Sequence, residues 1–251
     1  NAVWSPDSKW IAYGRRMPNK MGAVFMYSLK EKKSYRVTDG MSDAESPAFD
    51  ESGKYLYFLA STDYALNVGW LDMSSYDRNI TRGLYLAVLD PNEPSPFLPE
   101  SDEEKPKDEK KSDEKKDDKE GDEKKDDKKK VEVKFDPDHI DQRILAVDVP
   151  VKDYVGVAAG PENVVFYAER DGRNATVHKY DLKKRKGDAF ISGINGFDIS
   201  ADKKKLLYRA GSKLGIVETS KDSAKVGDGA LKLDGLQARV EPAEEWAQMN
   251  L

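Results

Sequence analysis

Residues 46–58 read SPAFDESGKYLYF, a polar stretch followed by a run of aromatic and aliphatic residues. Residues 4–13 read WSPDSKWIAY and repeat that order, with Asp7 and Asp50 of the two copies 43 positions apart. Short polar residues, Pro and Gly favour turns because they bond to the local backbone or supply its unusual dihedral angles, whereas aromatic and branched residues favour strands. Each copy is therefore predicted to be a turn that leads into a β-strand. The leading segment of a copy, such as residues 46–49 or 196–199, is predicted to supply a further strand.

Two weaker copies of the same unit lie at residues 158–167 and 197–208, where Tyr167 and Tyr208 are 41 positions apart. A second predicted strand follows each copy, at residues 23–29, 83–89, 175–182 and 213–218. Repeats of about 40 to 45 residues with short, evenly spaced strands are typical of four-stranded propeller blades. A β-sandwich is the alternative, but it has no reason to repeat a turn at a fixed offset. We predict an all-β fold, a partial β-propeller of about four four-stranded blades within a larger ring.

The composition excludes several classes of function. The chain has no cysteine, which excludes disulfide scaffolds, thiolate zinc sites and cysteine nucleophiles. Residues 100–130 hold 15 acids and 12 bases, and outside them 28% of residues are charged with a net charge of −2. That balance is ordinary for a globular domain and gives no basic face for nucleic acid. No apolar run exceeds six residues, such as residues 55–60, which is far too short to span a membrane.

The chain divides into four predicted segments. Residues 1–99 form the first blade and the first part of the second, and residues 131–240 form the rest of the second blade and two more. Residues 100–130 are predicted to be a disordered insertion rich in Lys, Asp and Glu, because almost no apolar side chain repays the entropy of ordering them. Residues 241–251 make up the last segment.

The residues that could carry chemistry do not form a recognisable catalytic set. His139 and His178 are the only histidines, and no Gly-x-Ser-x-Gly elbow occurs. Ser212 follows a glycine in a predicted hairpin turn, and Asp198 and Asp202 lie where the repeat places its turns. The glycine loops that bind phosphates are also absent. We therefore predict no catalytic residue, no cofactor and no metal site in this chain.

One segment, residues 67–78, departs from the repeat. It reads NVGWLDMSSYDR and stands between two predicted hairpin strands, where the other units have short turns. An exposed cluster of large apolar side chains would be a sticky surface, so these residues should pack against something. They either cap their own blade or contact a neighbouring domain or subunit. The candidate contact residues are Trp70, Leu71, Met73 and Tyr76.

Several ordered strings resemble the N-terminal propeller region of bacterial tricorn-type serine proteases. They lie at residues 46–63, 69–75, 93–104 and 140–154. The resemblance implies a large peptidase in which propellers precede a PDZ domain and a catalytic core related to tail-specific proteases. Residues 241–251 resemble the start of the linker or helix that leads towards that core. The family's catalytic Ser, His and Glu have no counterparts here, so no catalytic residue is carried over.

The resemblance also implies partners and a role. The partners would be peptide substrates, the PDZ and catalytic domains of the same parent chain, and further copies in a homo-oligomer, with no nucleic acid and no membrane. The propeller would gate or guide peptides to the catalytic core. Two alternatives remain open: a stand-alone TolB-like interaction propeller, and a propeller hydrolase with a site of its own. We expect a cytoplasmic protein, with the periplasm as the alternative.

Overall fold

A computed structural model of the chain describes residues 2–63, 80–99 and 131–235, together with residues 241, 242, 246 and 249. Its strands form four antiparallel sheets, in each of which the spatial order of strands follows the chain. We name these sheets blades 1 to 4. Blade 1 contains β1 (Ala2–Trp4), β2 (Trp10–Arg16), β3 (Gly22–Ser28) and β4 (Lys33–Arg36).

The other three blades repeat this meander. Blade 2 contains β5 (Asp43–Phe49), β6 (Tyr55–Ser61), β7 (Gly83–Val88) and β8 (Ile144–Ala146), with the 3₁₀ turn η1 (Ile140–Arg143) before β8. Blade 3 contains β9 (Tyr154–Ala159), β10 (Val164–Asp171), β11 (Asn174–Asp181) and β12 (Lys186–Ile194). Blade 4 contains β13 (Gly196–Ile199), β14 (Lys205–Ala210) and β15 (Lys213–Glu218).

Successive blades pack face to face, and β6 shows how one strand serves two interfaces. Its side chains alternate between the two faces of the sheet, as in any strand. Leu56 and Phe58 join the core shared with blade 1, whereas Tyr55 and Tyr57 join the core shared with blade 3. A third core lies between blades 3 and 4. All seven residues of β6 are buried because both faces are covered.

The outer edge of blade 4 pairs with the chain that follows it. The amide of Ile216 donates to the Gly229 carbonyl at 3.0 Å, and the Leu231 amide donates to the Leu214 carbonyl at 2.9 Å. Gly229 has a φ of +60°. A Cβ built there would lie 1.9 Å from the Ile216 carbonyl oxygen, so only glycine fits. Residues 229–231 therefore take the place of a short fourth strand.

The structure confirms the all-β prediction of four propeller blades. The leading segments 46–49 and 196–199 form strands as predicted, within β5 and as β13. The register of β5 shifts between Glu45 and Ala48, and Ser46 has a φ of +55°. Proline cannot donate to a sheet ladder and is accommodated at a bulge of an edge strand.

The segment boundaries predicted from the sequence remain predictions. The charged residues 100–130 lie outside the described residues, as do the candidate contact residues Trp70, Leu71, Met73 and Tyr76. In the described part of the chain, no helix has both the length and the apolar character needed to cross a lipid bilayer.

Candidate functional site

The connection between the first and second strands of each blade, which we call its entry turn, has a common geometry. In blades 1, 2 and 4, the first residue of the turn donates its amide to the carbonyl five residues later, at 2.9 to 3.0 Å. These first residues are Ser5, Asp50 and Ser200. Ser5 and Asp50 are therefore the equivalent positions, 45 residues apart, and the pairing of Asp7 with Asp50 in the sequence was wrong by two residues.

The fourth residue of every entry turn has a left-handed backbone conformation. It is Ser8, Gly53, Asn163 and Lys203 in blades 1 to 4, with φ between 57° and 72°. Glycine and asparagine adopt this conformation readily, and the turn imposes it on the serine and the lysine. This shared conformation lets four different sequences make similar turns, although in blade 3 the Gly160 amide donates to the carbonyl four residues later.

A serine and an aspartate bond to each other across positions 1 and 3 of three entry turns. In blade 1 the Ser5 hydroxyl donates to Asp7 at 2.6 Å, and in blade 4 Ser200 donates to Asp202 at 2.5 Å. In blade 2 the two residue types are exchanged, so that Ser52 at position 3 donates to Asp50 at position 1. With this exchange the carboxylate of blade 2, on Asp50, is buried, whereas that of blade 4, on Asp202, is exposed.

Asp50 joins blade 2 to blade 3. Its Oδ1 accepts hydrogen bonds from the Tyr57 hydroxyl at 3.1 Å and from the Asn163 amide at 3.0 Å. The residue is fully buried, and burial raises the pKa of its carboxyl above the ordinary value, although hydrogen bonds from Ser52, Asn163 and Tyr57 act to lower it. Next to it, Glu51 Oε2 accepts the amide of Glu162 at 3.1 Å. The entry turns of blades 2 and 3 are thus held side by side.

The segment that follows the charged insertion binds to blade 1. The Val133 amide donates to Asp7 Oδ2 at 3.0 Å, and Glu132 forms an ion pair with Lys9 at 2.8 Å. The ring of Phe135 meets the ring of Trp10 edge to face, with 5.2 Å between centroids. Residues 131–135 therefore lie along the entry turn of blade 1.

The entry turns of blades 1, 2 and 4 surround one cavity of about 1000 Å³, which we call the entry-turn cavity. This volume is large enough for a small ligand or a few residues of peptide. The lining residues come from these three blades and from the segment after the insertion. They are Trp4, Ser5, Pro6, Asp7, Lys9, Phe49, Glu51, Val131, Glu132, Ala201 and Lys203.

Most charges around the entry-turn cavity already have partners. Lys9 is paired with Glu132, and Asp7 accepts hydrogen bonds from Ser5 and from the backbone amides of residues 9 and 133. Among the described residues, no ion pair involves Glu51 or Lys203, which lie on different blades. Trp4 stands at the end of β1 with 60% of its surface exposed, so the cavity combines an accessible indole with one acid and one base.

The residues that sequence reasoning considered for chemistry do not meet at this cavity. His178 Nε2 lies 2.9 Å from Glu169, and its ring stacks on Tyr167 at 5.1 Å. Burial acts to raise the pKa of Glu169, but Lys152 and His178 outweigh it and lower the pKa. His139 precedes η1, and Ser212 lies in the turn between β14 and β15. Within the described ranges, no group of three or more His, Asp or Glu side chains could hold a metal ion.

The described residues on the two sides of the segment around Trp70 are hydrogen-bonded to each other. Asp63 accepts hydrogen bonds from the Thr81 amide at 3.1 Å and from the Thr81 hydroxyl at 2.7 Å. Together with the Ser61 hydroxyl, these bonds lower the pKa of Asp63 although burial acts to raise it. Asp63 and Thr81, on either side of this segment, therefore lie next to each other. The role of Trp70, Leu71, Met73 and Tyr76 stays a prediction.

The sequence of this chain matches a family model and known proteins over most of its length. The model of the family "Tricorn protease second beta propeller domain" matches residues 1–220. The tricorn protease homolog of Saccharolobus solfataricus is 28% identical over 98% of this chain, which spans 22% of that protein. Tricorn protease homolog 1 of Streptomyces coelicolor is 24% identical over 98% of the chain, which spans 24% of that protein.

Solved structures share the fold. The crystal structure of the tricorn protease superposes with a TM-score of 0.66 at 20% identity, covering 99% of this chain and 23% of that one. TolB from Acinetobacter baumannii superposes with a TM-score of 0.50 at 14% identity, covering 87% of this chain and 40% of that one. At these identities, the two structures are evidence for the propeller architecture alone.

Proposed function

Because this chain belongs to the family of the second β-propeller domain of tricorn protease, we propose that it is a non-catalytic propeller portion of a tricorn-type serine peptidase. In this role it receives peptides and guides them to a catalytic core outside these residues. The chain spans only 22% to 24% of the two relatives described above, so the activity of the whole protein is part of the proposal.

The observation that carries the proposal is the entry-turn cavity. Turn residues from blades 1, 2 and 4 line it, and the ends of β1 and β5 contribute Trp4 and Phe49. Aromatic side chains at the wall of a concave, partly apolar site are typical of ligand binding. Exposed backbone and loops around a propeller axis also suit an extended peptide. A guiding role needs this kind of contact and no nucleophile.

Two measurements test the proposal. In the first, the 251-residue chain and the full-length parent are each given a fluorogenic peptide, with and without a serine-directed inhibitor. We expect inhibitor-sensitive hydrolysis by the parent alone. Inhibitor-resistant hydrolysis by the chain itself would refute the non-catalytic role, and hydrolysis by neither would favour an interaction propeller.

The second measurement is binding of a fluorescent peptide to the chain, followed by anisotropy. Removing a central aromatic anchor commonly costs more than 1 kcal/mol, so Trp4→Ala should weaken binding about tenfold. Met41→Ala is the matched control because Met41 is 78% exposed and does not line the cavity. Equal loss in both variants would contradict a role for the cavity.

The partners belong to the same proposal. They are peptide substrates, the PDZ and catalytic domains of the parent chain, and further copies in a homo-oligomer. A cytoplasmic location, with the periplasm as the alternative, is proposed with them. Sedimentation of the parent protein and fractionation of its host cells test the oligomer and the compartment.

A further inference from the structure

We propose that the entry-turn cavity selects peptides that carry a positively charged group, which is held between the Glu51 carboxylate and the Trp4 indole. This inference rests on the proposed function and adds a substrate preference to it. It makes Glu51 a specificity-determining residue of the propeller.

Comparison of the four entry turns isolates Glu51. The second residue of the turn is Pro6, Glu51, Pro161 and Ala201 in blades 1 to 4. Pro6, Glu51 and Ala201 all line the cavity. Proline or alanine at this position makes the turn equally well, so the backbone does not require a carboxylate there. The glutamate is better explained by the space that it faces.

The contacts of Glu51 hold it in place and leave it capacity for a ligand. Oε2 accepts the amide of Glu162 at 3.1 Å, which fixes the carboxylate against the entry turn of blade 3. An ionised carboxylate accepts about four hydrogen bonds. Within the described part of the chain, Oε1 has no hydrogen-bond partner, so an ammonium or guanidinium group can bind there. Charge-assisted bonds of this kind are stronger than neutral ones.

The neighbouring groups favour a cation on the Glu51 side of the cavity. Lys9 is neutralised by Glu132 at 2.8 Å, so it does not compete for Glu51. The exposed indole of Trp4 offers an aromatic face, which attracts cations. Lys203 on blade 4 acts in the opposite sense, since it repels a cation in the same cavity. The proposal therefore predicts effects of opposite sign for substitutions at Glu51 and Lys203.

The test uses two labelled peptides that are identical except for Lys or Gln at one central position, with binding followed by anisotropy at low salt. A partly desolvated ion pair contributes up to about 1 kcal/mol, so the chain should bind the Lys peptide about fivefold more tightly. Glu51→Gln should abolish this preference. Lys203→Gln should tighten binding of the Lys peptide about twofold. Glu218→Gln, an exposed acid on β15 that does not line the cavity, is the matched control.

Glu51→Gln keeps an oxygen that can accept the Glu162 amide, and its melting temperature checks that the fold is intact. Equal binding of both peptides by the unmodified chain overturns the charge preference and leaves the proposed function standing. A preference that survives in Glu51→Gln overturns the assignment to Glu51. Failure to bind either peptide contradicts the proposed function, and this inference with it.

Discussion

Asp50 provides a quantitative test of how neighbouring blades are joined. The carboxylate is fully buried and accepts hydrogen bonds from Ser52, Tyr57 and Asn163. Asp50→Ala would leave the buried Tyr57 hydroxyl and the Asn163 amide without their acceptor. Each unsatisfied buried donor costs about 1 to 3 kcal/mol, so we expect the free energy of unfolding to fall by about 3 kcal/mol.

The matched control is Asp202→Ala in blade 4. Asp202 accepts a hydrogen bond from Ser200, as Asp50 does from Ser52, but it is exposed and makes no described bond to another blade. Water can replace its partners, so its removal should change stability little. Urea unfolding followed by tryptophan fluorescence gives both values. Equal destabilisation by the two variants would refute the reasoning, because it would show that the bond between blades contributes nothing.

The pH dependence of Asp50→Asn gives an independent check. Because burial raises the pKa of Asp50, the folded protein holds this proton more tightly than the unfolded chain does. The stability that protonation contributes is complete below the unfolded pKa of about 4 and is lost as pH rises through the folded pKa. The unmodified chain should therefore lose stability relative to Asp50→Asn as pH rises above about 4. A relative gain over this range would contradict the raised pKa.

Three further predictions concern segments around the blades. Gly229→Ala should speed hydrogen exchange at the Ile216 amide, because its Cβ would meet a carbonyl oxygen at 1.9 Å; Gly211→Ala, with a similar φ and no atom within 4 Å, should not. Deletion of residues 100–130 should leave the melting temperature within a few degrees of the parent value, since they offer almost no apolar surface. Trp70→Ala should weaken association with a neighbouring domain or subunit, seen by size-exclusion chromatography, more than it lowers the melting temperature.

The blades could be predicted from the sequence because each is built from local signals. Residues 55–60 alternate between two buried faces, and the turn before them contains Asp, Ser and Gly. The alignment of the first two copies could not be predicted in the same way. Asp7 and Asp50 are alike in the sequence, and only the hydrogen bond that closes each turn shows that Asp50 corresponds to Ser5.

The entry-turn cavity was beyond sequence reasoning for a different reason. Its walls come from residues about 200 positions apart, such as Trp4 and Lys203, which only the packing of blades brings together. Glu51 could have been noticed because it replaces the proline or alanine of the other entry turns, but that comparison needs the corrected alignment of Asp50 with Ser5.

The copies of the repeat differ at a few positions. In this chain, one such position joins neighbouring blades and another lines the proposed binding site. All four entry turns share a left-handed fourth residue, and those of blades 1, 2 and 4 share a hydrogen bond over five residues, so these features cannot tell one neighbour from another. Asp50 stands where two other blades have serine, and it reaches across to Asn163 of the next blade. Glu51 stands where the others have proline or alanine; its Oε2 also accepts an amide of the next blade, but the residue lines the cavity as well. Two adjacent departures from the repeat thus have different consequences: loss of Asp50 should lower stability, whereas neutralising Glu51 should change which peptides bind and leave stability intact.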